Sequence, residues 1–234
     1  MSDFKEVKWL LFDLDNTLLN FSESSHMAFR QMLTDWSVDA KDASRLYDIY
    51  QKINHQLWHD REEGRISHHD LKTKRWSLFF KEVGITADAG EANAQYFDII
   101  QNRVDFVPYA QELLSALKPH YQLSIVTNGL SEVQRPRIER SGIGDFFEHI
   151  IISDEIGTAK PQNAFFEHCH DLIDKPDHRE VLIIGDTLKS DIKGGNDFGY
   201  HTCWFNHDYI DHDGLHHPNA EINTLPELLD ILSF

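Results

Sequence analysis

A continuous apolar stretch that ends in two acidic residues constrains this chain more than any other feature. Residues 9–12 (WLLF) run directly into Asp13-Leu14-Asp15. Four consecutive apolar residues predict a strand that is buried on both faces. Residues i and i+2 of a strand point to the same side, so Asp13 and Asp15 are expected to face one small volume. That volume lies at the carboxyl end of the strand, where open α/β sheets bind their ligands.

The stretch that follows, residues 18–105, has helical periodicity and no strand pattern. Apolar residues recur there at i, i+3, i+4 and i+7, which is typical of amphipathic helices. One such set is Phe29, Met32, Leu33 and Trp36. We therefore predict an all-helical block of about four or five helices packed as a bundle.

From residue 122 onward, predicted strands and helices alternate. The strands are placed at 122–126, 149–152, 181–184, 201–205 and 220–222, and the helices at 108–117, 133–141, 160–172, from 190 and at 226–232. This alternation predicts right-handed βαβ units and a parallel sheet covered by helices on both faces. The predicted fold class is α/β, with a Rossmann-like core of residues 1–17 and 106–234 and an inserted helical cap domain at 18–105. An insertion beside the strand ends is built like a lid.

The acidic composition excludes several classes of partner. Asp and Glu number 39 against 22 Lys and Arg, so the formal net charge is −17. Nucleic acid polymers and anionic membrane surfaces require positive charge, and no apolar run approaches the length of a membrane span.

Cys169 and Cys203 fit no metal or redox spacing, and the N-terminus has no signal-peptide pattern. We expect a cytoplasmic monomer or homodimer with reduced thiols and a small-molecule substrate.

Histidines are numerous, and several of the 15 lie within residues 206–218. Their spacing fits no strong zinc signature, and the segment is rich in Asp, Gly and Asn. We therefore predict a solvated loop there rather than a structural metal site.

Polar residues follow four of the predicted strands and converge at one edge of a parallel sheet. They are Asp13, Asp15, Thr127, Asn128, Lys160, Asp186 and Asp191. Carboxylates this close repel one another unless a cation lies among them, and oxygen ligands suit Mg²⁺ better than zinc. Gly129 and Gly185 are expected to let the backbone approach a ligand closely.

The remaining members of this set suit a phosphoryl group. Lys160, Thr127 and Asn128 offer a positive charge and hydrogen-bond donors to phosphate oxygens. An aspartate serves as a covalent nucleophile in phosphoryl transfer, and a second carboxylate could move the proton. Taken singly, each motif has a structural alternative: a strand-end turn for the first two, a surface lysine, and helix N-caps for Asp186 and Asp191.

Four motifs, in order, resemble the signature motifs of the haloacid dehalogenase-like hydrolases. They are DLDNT (13–17), TNG (127–129), KP (160–161) and GDTLKSD (185–191). The helical insertion after the first motif is similar to the type-1 cap of that family. The resemblance implies that Asp13 is the nucleophile and a Mg²⁺ ligand, and that Asp15 is the general acid and base with its carbonyl on the metal. It also implies that Thr127, Asn128 and Lys160 bind the phosphoryl group and that Asp186 and Asp191 serve the metal.

Longer stretches resemble one subgroup, the YjjG-type pyrimidine 5′-nucleotidases. These stretches include LWHDREEGRIS (57–67), IVTNGLSEVQRPRIERSGI (125–143) and TCWFN (202–206). The resemblance implies hydrolysis of nucleoside 5′-monophosphates. Phe21, Trp58 and Arg75 are candidates for contact with the base, because an aromatic ring can stack on it and Arg can donate to its carbonyl groups. Aromatic residues of helices are more often part of a core.

Other functions stay open at this point. The motifs fit a phosphatase for a sugar phosphate, phosphoglycolate or acylneuraminate phosphate equally well, because the leaving group meets only the cap. A phosphomutase would need to shield the aspartyl-phosphate from water. A 2-haloacid dehalogenase is disfavoured because those enzymes lack the second Asp, which stands here at 15. A nucleotide-binding regulatory protein without turnover is disfavoured by the complete catalytic set.

Overall fold

A computed structural model describes residues 4–36, 40–212 and 214–232. Asp213, in the predicted solvated loop, lies outside the described residues. The chain divides into two compact units, one formed by Met1–Phe21 with Val104–Phe234 and the other by Ser22–Arg103. The sequence pattern places the corresponding boundaries after residues 17 and 105, and this division stays a prediction.

The second unit contains helices and no strand in its described residues. Its helices are α1 (Phe21–Asp35), whose first residue belongs to the first unit, α2 (Ala43–Glu62), α3 (His68–Val83) and α4 (Ala89–Gln101). Helix α3 begins at a capping box in which Ser67 and Asp70 bond each other's backbone N–H groups, and it ends at Gly84 in a left-handed conformation. Both devices satisfy backbone groups that a helix terminus leaves unpaired.

Aromatic side chains form the centre of this helical unit. Tyr50 and Trp76 are fully buried, with ring centroids 5.1 Å apart. Phe29 packs on Tyr50 at 5.0 Å, and Tyr96 packs on Trp76 at 5.5 Å. The apolar positions that predicted amphipathic helices therefore pack against one another across α1, α2, α3 and α4.

The first unit is built on a six-stranded parallel sheet. Its strands are β1 (Trp9–Phe12), β2 (Gln122–Thr127), β3 (His149–Ile152), β4 (Val181–Gly185), β5 (His201–Phe205) and β6 (Ala220–Ile222). The strand order is β3-β2-β1-β4-β5-β6, and every neighbouring pair is parallel. The predicted α/β fold class is confirmed, and β1 lies in the middle of the sheet.

Helices precede, connect or follow the strands β2 to β6 of this sheet. They are α5 (Ala110–Leu117), α6 (Ser131–Ser141), α7 (Ser153–Ile156), α8 (Asn163–Leu172), α9 (Gly194–Phe198) and α10 (Glu227–Ile231). A π-helical turn, Leu188–Lys193, precedes α9. None of the helices in the described parts of the chain has the length and apolar character that a membrane-crossing helix needs.

The four residues of β1 are shared between two cores. Leu10 and Phe12 belong to one apolar cluster, and Trp9 and Leu11 belong to another. Alternate residues of a strand point to opposite faces of its sheet, so both faces of β1 are covered. This explains why an uninterrupted apolar run precedes the two aspartates.

Some helices begin later than the sequence pattern predicts. Helix α5 was expected from residue 108, but it begins at Ala110, after Tyr109 has turned into a left-handed conformation. Helix α8 begins at Asn163 rather than at Lys160. The backbone N–H and carbonyl of Lys160 are both bonded to the Asn128 side chain, which keeps that residue out of the helix.

The close packing of α9 against the sheet can be tested with Gly195→Ala. A Cβ atom at Gly195 would lie 2.6 Å from Cγ2 of Ile183 and 2.8 Å from Cγ2 of Thr202. We expect a loss of about 1–3 kcal/mol in the free energy of unfolding, because these atoms belong to buried strand residues that cannot move aside. The measurement is denaturant unfolding. Gly144→Ala is the control, since its Cβ would make an ordinary 3.6 Å contact; equal stability of the two variants would contradict the prediction.

Candidate active site

Parallel strand register brings the residues after β1, β2 and β4 to one edge of the sheet. Phe12 is aligned with Ile125 on one side and with Ile184 on the other. Asp13 continues this alignment and donates its backbone N–H to the carbonyl of Ile184 at 2.8 Å. The side chain of Asp13 therefore meets the residues that follow β4 without any long loop between them.

Three acidic side chains form a compact cluster at this edge. Carboxylate oxygens of Asp13, Asp186 and Asp191 all lie within 4.8 Å of one another. Asp13 is 7% exposed and Asp191 1% exposed. Among the described residues this is the only group of three or more acidic, His or Cys side chains placed to share a metal ion. All of its donors are hard oxygen atoms, which suits Mg²⁺.

The ammonium group of Lys160 lies between two of these acids. Its Nζ donates to Oδ1 of Asp13 and to Oδ1 of Asp191, each at 2.6 Å, and to the carbonyl of Val126 at 2.7 Å. Its three hydrogens are thereby committed, so it offers its charge, rather than a spare hydrogen, to an incoming anion. Burial lowers the pKa of Lys160, but Asp13 and Asp191 outweigh this effect and hold that pKa above its ordinary value.

Two of the acids bind protons more tightly than free carboxylates do. Burial raises the pKa of Asp13 to about 7, opposed by the charge of Lys160 and reinforced by that of Asp191. Burial, followed by the charges of Asp13 and Asp191, also raises the pKa of Asp186 well above its ordinary value. The single positive charge of Lys160 thus balances only part of the negative charge of the three carboxylates, and a divalent cation would relieve the remaining repulsion.

Asp191 reaches the cluster from the π-helical turn after β4. Its Oδ2 accepts the backbone N–H of Thr187 at 3.1 Å. A Cβ atom at Gly185 would lie 2.3 Å from Cγ of Asp191. The space at Gly185, expected to admit a ligand, is therefore taken by a side chain of the site itself.

Asp15 has different neighbours from Asp13, although only one residue separates them in the sequence. Its Oδ1 accepts from Nη1 of Arg137 at 2.5 Å, and its Oδ2 accepts from Nε2 of Gln134 at 2.7 Å. Both donors lie on α6, on the face that is turned into the protein. The two carboxylates of the first motif are thereby separated into two chemical environments.

The sequence interpretation missed Gln134 and Arg137. Both are polar residues at buried positions of α6, with exposed fractions of 1% and 0%. They lie on the helix that follows the TNG motif and stand three residues apart, with apolar Val133 and Ile138 on the same buried face. Polar residues in the apolar stripe of a helix were the signal that could have identified them.

The residues expected to bind a phosphoryl group have defined contacts. Oγ1 of Thr127 accepts from Nε2 of Gln134 at 2.9 Å and from the N–H of Gly129 at 3.2 Å. The hydroxyl hydrogen of Thr127 is left to donate to another acceptor. Asn128 bonds the backbone of Lys160 through both Oδ1 and Nδ2, so its side chain positions that lysine. Phosphoryl binding by these residues stays a prediction.

The three candidates for base contact lie in different surroundings. Phe21, at the start of α1, is partly buried, and the Arg137 guanidinium lies 5.1 Å from its ring centroid. Trp58 is a partly buried residue of α2. Arg75 is 2% exposed and donates to the side-chain carbonyls of Asn54 and Asn93 inside the helical unit. Contact of these residues with a substrate stays a prediction.

The pKa shift of Asp13 makes the stability of the metal-free protein depend on pH. Its folded-state pKa of about 7 exceeds the unfolded value of 3.8, so stability is lost as pH rises through this window. Asp13→Asn removes this effect. In EDTA, we expect the variant to gain on the order of 2–4 kcal/mol relative to wild type between about pH 4.5 and about pH 8.

Urea unfolding at the two pH values measures this difference. Asp145→Asn, which changes an exposed carboxylate, is the matched control and should show no such trend. A stability difference between Asp13→Asn and wild type that stays constant with pH would contradict the prediction.

Comparison with known proteins places the chain among hydrolases. Residues 7–199 match the family model described as haloacid dehalogenase-like hydrolase. Pyrimidine 5′-nucleotidase YjjG of Escherichia coli is 32% identical over 226 residues, which cover 96% of this chain and 97% of that protein. Pyrimidine 5′-nucleotidase PynA of Streptococcus pneumoniae is 33% identical over 226 residues, covering 96% and 94%.

A solved structure shows the same fold. The crystal structure of the HAD-hydrolase YfnB of Bacillus subtilis, bound to magnesium, superposes with a TM-score of 0.90 at 33% sequence identity. The match covers 97% of this chain and 99% of that one. Similarity therefore extends over nearly the whole chain and covers residues of both units.

Proposed function

The chain belongs to the haloacid dehalogenase-like hydrolases, and from this premise we propose that it is a Mg²⁺-dependent phosphoric monoester hydrolase of the 5′-nucleotidase type. One observation carries the proposal: the two aspartates of the first motif have separate partners. Asp13 lies in the acidic cluster beside Lys160, whereas Asp15 is bonded to Arg137 and Gln134. A nucleophile and a proton-transfer group require such different surroundings.

Asp13, Asp186 and Asp191 are the side chains that would hold Mg²⁺, joined by the carbonyl oxygen of Asp15. The fit rests on the oxygen-only donor set within 4.8 Å and on the raised pKa values of Asp13 and Asp186. When bound, the ion would supply positive charge that offsets the repulsion between the acidic cluster and an anionic phosphate ester.

In the first step, a carboxylate oxygen of Asp13 attacks phosphorus. The bond from phosphorus to the ester oxygen breaks, and its electron pair stays on that oxygen. Asp15, protonated at this stage, gives its proton to the leaving oxygen, so an alcohol departs and an aspartyl-phosphate remains. Lys160 keeps Asp13 oriented through the 2.6 Å contact and adds positive charge next to the phosphoryl group.

In the second step, the carboxylate of Asp15 takes a proton from water. The oxygen of this deprotonated water attacks phosphorus, and the bond from phosphorus to the Asp13 oxygen breaks. Inorganic phosphate and the free carboxylate of Asp13 are the products. Thr127 donates its hydroxyl hydrogen to a phosphoryl oxygen. Atoms and charges are restored to their starting state after each turnover.

The substrate class proposed is the pyrimidine nucleoside 5′-monophosphates. Its support is the full-length similarity to two proteins named pyrimidine 5′-nucleotidase, at 32% and 33% identity. The alternative is another small phosphate ester, such as a sugar phosphate, phosphoglycolate or acylneuraminate phosphate, or a phosphomutase reaction. The acidic cluster and Lys160 serve all of these equally, because they act on the phosphoryl group alone.

A phosphomonoester panel tests both the activity and the substrate class. With Mg²⁺ we expect phosphate release to be fastest from pyrimidine nucleoside 5′-monophosphates, and EDTA should abolish it. Asp13→Asn should lower kcat by at least about 10³-fold, because the attacking oxygen is replaced by an amide. Asp145→Asn, exposed and distant in sequence from the motifs, serves as the control with unchanged kcat.

The possible outcomes separate the two levels of the proposal. Faster hydrolysis of sugar phosphates than of nucleotides would contradict the substrate class and leave the mechanism standing. Full activity of Asp13→Asn, or activity that persists in EDTA, would contradict the mechanism.

A further inference from the structure

The guanidinium group of Arg137 is fully buried, although two of its nitrogen atoms have no hydrogen-bond partner. The residue is 0% exposed, and its ion-pair partner is Asp15, whose Oδ1 lies 2.5 Å from Nη1. Nη1 also donates to Oε1 of Gln134 at 2.8 Å, whereas Nε and Nη2 are buried and have no hydrogen-bond partner. Burying a charge with unpaired donors is costly, so a stability role does not account well for this residue.

The side-chain amide of Gln134 is fixed by hydrogen bonds to three neighbouring side chains. The two hydrogens of its Nε2 point to Oδ2 of Asp15 at 2.7 Å and to Oγ1 of Thr127 at 2.9 Å. Its Oε1 accepts from Arg137. Every polar group of the amide therefore has a partner, and the direction of these bonds fixes which end of the amide faces Asp15.

The backbone after β2 leaves space for this amide. A Cβ atom at Gly129 would lie 2.2 Å from Nε2 of Gln134 and 2.5 Å from its Cδ. Any side chain at position 129 would therefore displace the amide from Asp15 and Thr127. The space that the sequence suggested for a ligand belongs to Gln134.

We propose that Arg137 and Gln134 act as positioning residues that hold the Asp15 carboxyl group in the orientation needed for proton transfer. This inference rests on the proposed phosphomonoesterase function and deepens it. Two donors on two different oxygens fix the plane of the carboxyl group, which a single donor would leave free to rotate. Two of its roughly four lone-pair positions are then left for the proton that it carries.

The burial of Arg137 favours positioning over direct contact with substrate. A residue that bound the phosphoryl group would present open donors to the site, but Nε and Nη2 are both enclosed, and the ring of Phe21 lies 5.1 Å from the guanidinium carbon. The donor that points towards reacting groups, Nη1, is already bonded to Asp15 and Gln134.

The leaving group of the substrate provides a readout specific to this role. A nucleoside leaves as a strongly basic alkoxide unless Asp15 supplies a proton, whereas p-nitrophenolate leaves without one. General acid catalysis contributes about 10²–10⁴-fold where it is needed. The parameter kcat/KM reports the step in which the bond to the leaving oxygen breaks, so misplacing Asp15 should lower it for the nucleotide and spare the aryl phosphate.

The experiment compares kcat/KM for uridine 5′-monophosphate and p-nitrophenyl phosphate in Arg137→Met, Arg137→Lys and Gln134→Met. We expect the nucleotide value to fall about 10²-fold more than the aryl phosphate value in Arg137→Met. Gln134→Met should show a smaller shift in the same direction, and Arg137→Lys should recover part of the loss. Arg135→Met is the matched control, because Arg135 is exposed on the same helix and pairs with Glu155.

A second readout concerns water attack, which also needs Asp15. With p-nitrophenyl phosphate, Arg137→Met should release a burst of p-nitrophenol close to one equivalent, because the aspartyl-phosphate forms normally and is hydrolysed slowly. Equal losses for both substrates with a raised KM would show that Arg137 binds the phosphoryl group and would overturn the proposal. An unchanged ratio and no burst would assign the pair a purely structural role and overturn it as well.

The design remains decisive if Arg137→Met does not fold. Gln134→Met keeps the charged pair of Arg137 and Asp15 and removes only the amide contacts, so its substrate ratio then decides. If wild type hydrolyses neither substrate, the proposed function is wrong and the positioning role is wrong with it. If wild type hydrolyses both and the variants keep its ratio, only the positioning role is wrong.

Discussion

The ion-pair network around the buried ammonium group of Lys160 is the interaction on which the site depends. A single cation joins the residue after β1 to the turn after β4 and to the carbonyl of Val126 in β2. Three strand ends are thereby tied together by one side chain. A buried ammonium group is stable only with such complete pairing, and buried carboxylates need it equally. The remaining imbalance in favour of negative charge is what suits the edge to a divalent cation.

A second set of contacts gives the two aspartates of one motif different chemistry. Asp13 and Asp15 are identical side chains that follow the same strand and are separated by one residue. Lys160 and two further acids surround the first, and α6 supplies Arg137 and Gln134 to the second. The roles proposed for the two carboxylates, attack on phosphorus and proton transfer, would therefore be set by neighbouring elements. Catalytic carboxylates are commonly differentiated by their surroundings in this way.

Glycines at two strand ends serve the protein's own side chains. At Gly185 and Gly129 the missing Cβ atoms leave room for Asp191 and Gln134. The sequence pattern suggested that both would bring the backbone close to a ligand, and that interpretation followed from the motifs alone. The packing shows that the missing Cβ atoms instead let Asp191 enter the acidic cluster and let the amide of Gln134 reach Asp15. Glycine in a motif can thus reflect the shape of the site's support as much as that of its ligand.

By itself the sequence determined the α/β fold class, the position of β1 in a parallel sheet and the strand ends at which the polar residues gather. Apolar runs and helical periodicity are local patterns, and parallel strands place their carboxyl ends together, so these conclusions need no knowledge of packing. Only the tertiary structure decided that Gln134 and Arg137 belong to the site, that Asn128 bonds the Lys160 backbone and that α8 starts at Asn163. Each of these depends on contacts between residues far apart in the chain. Local propensity carries no record of such contacts, because their energies arise only when the elements are packed together.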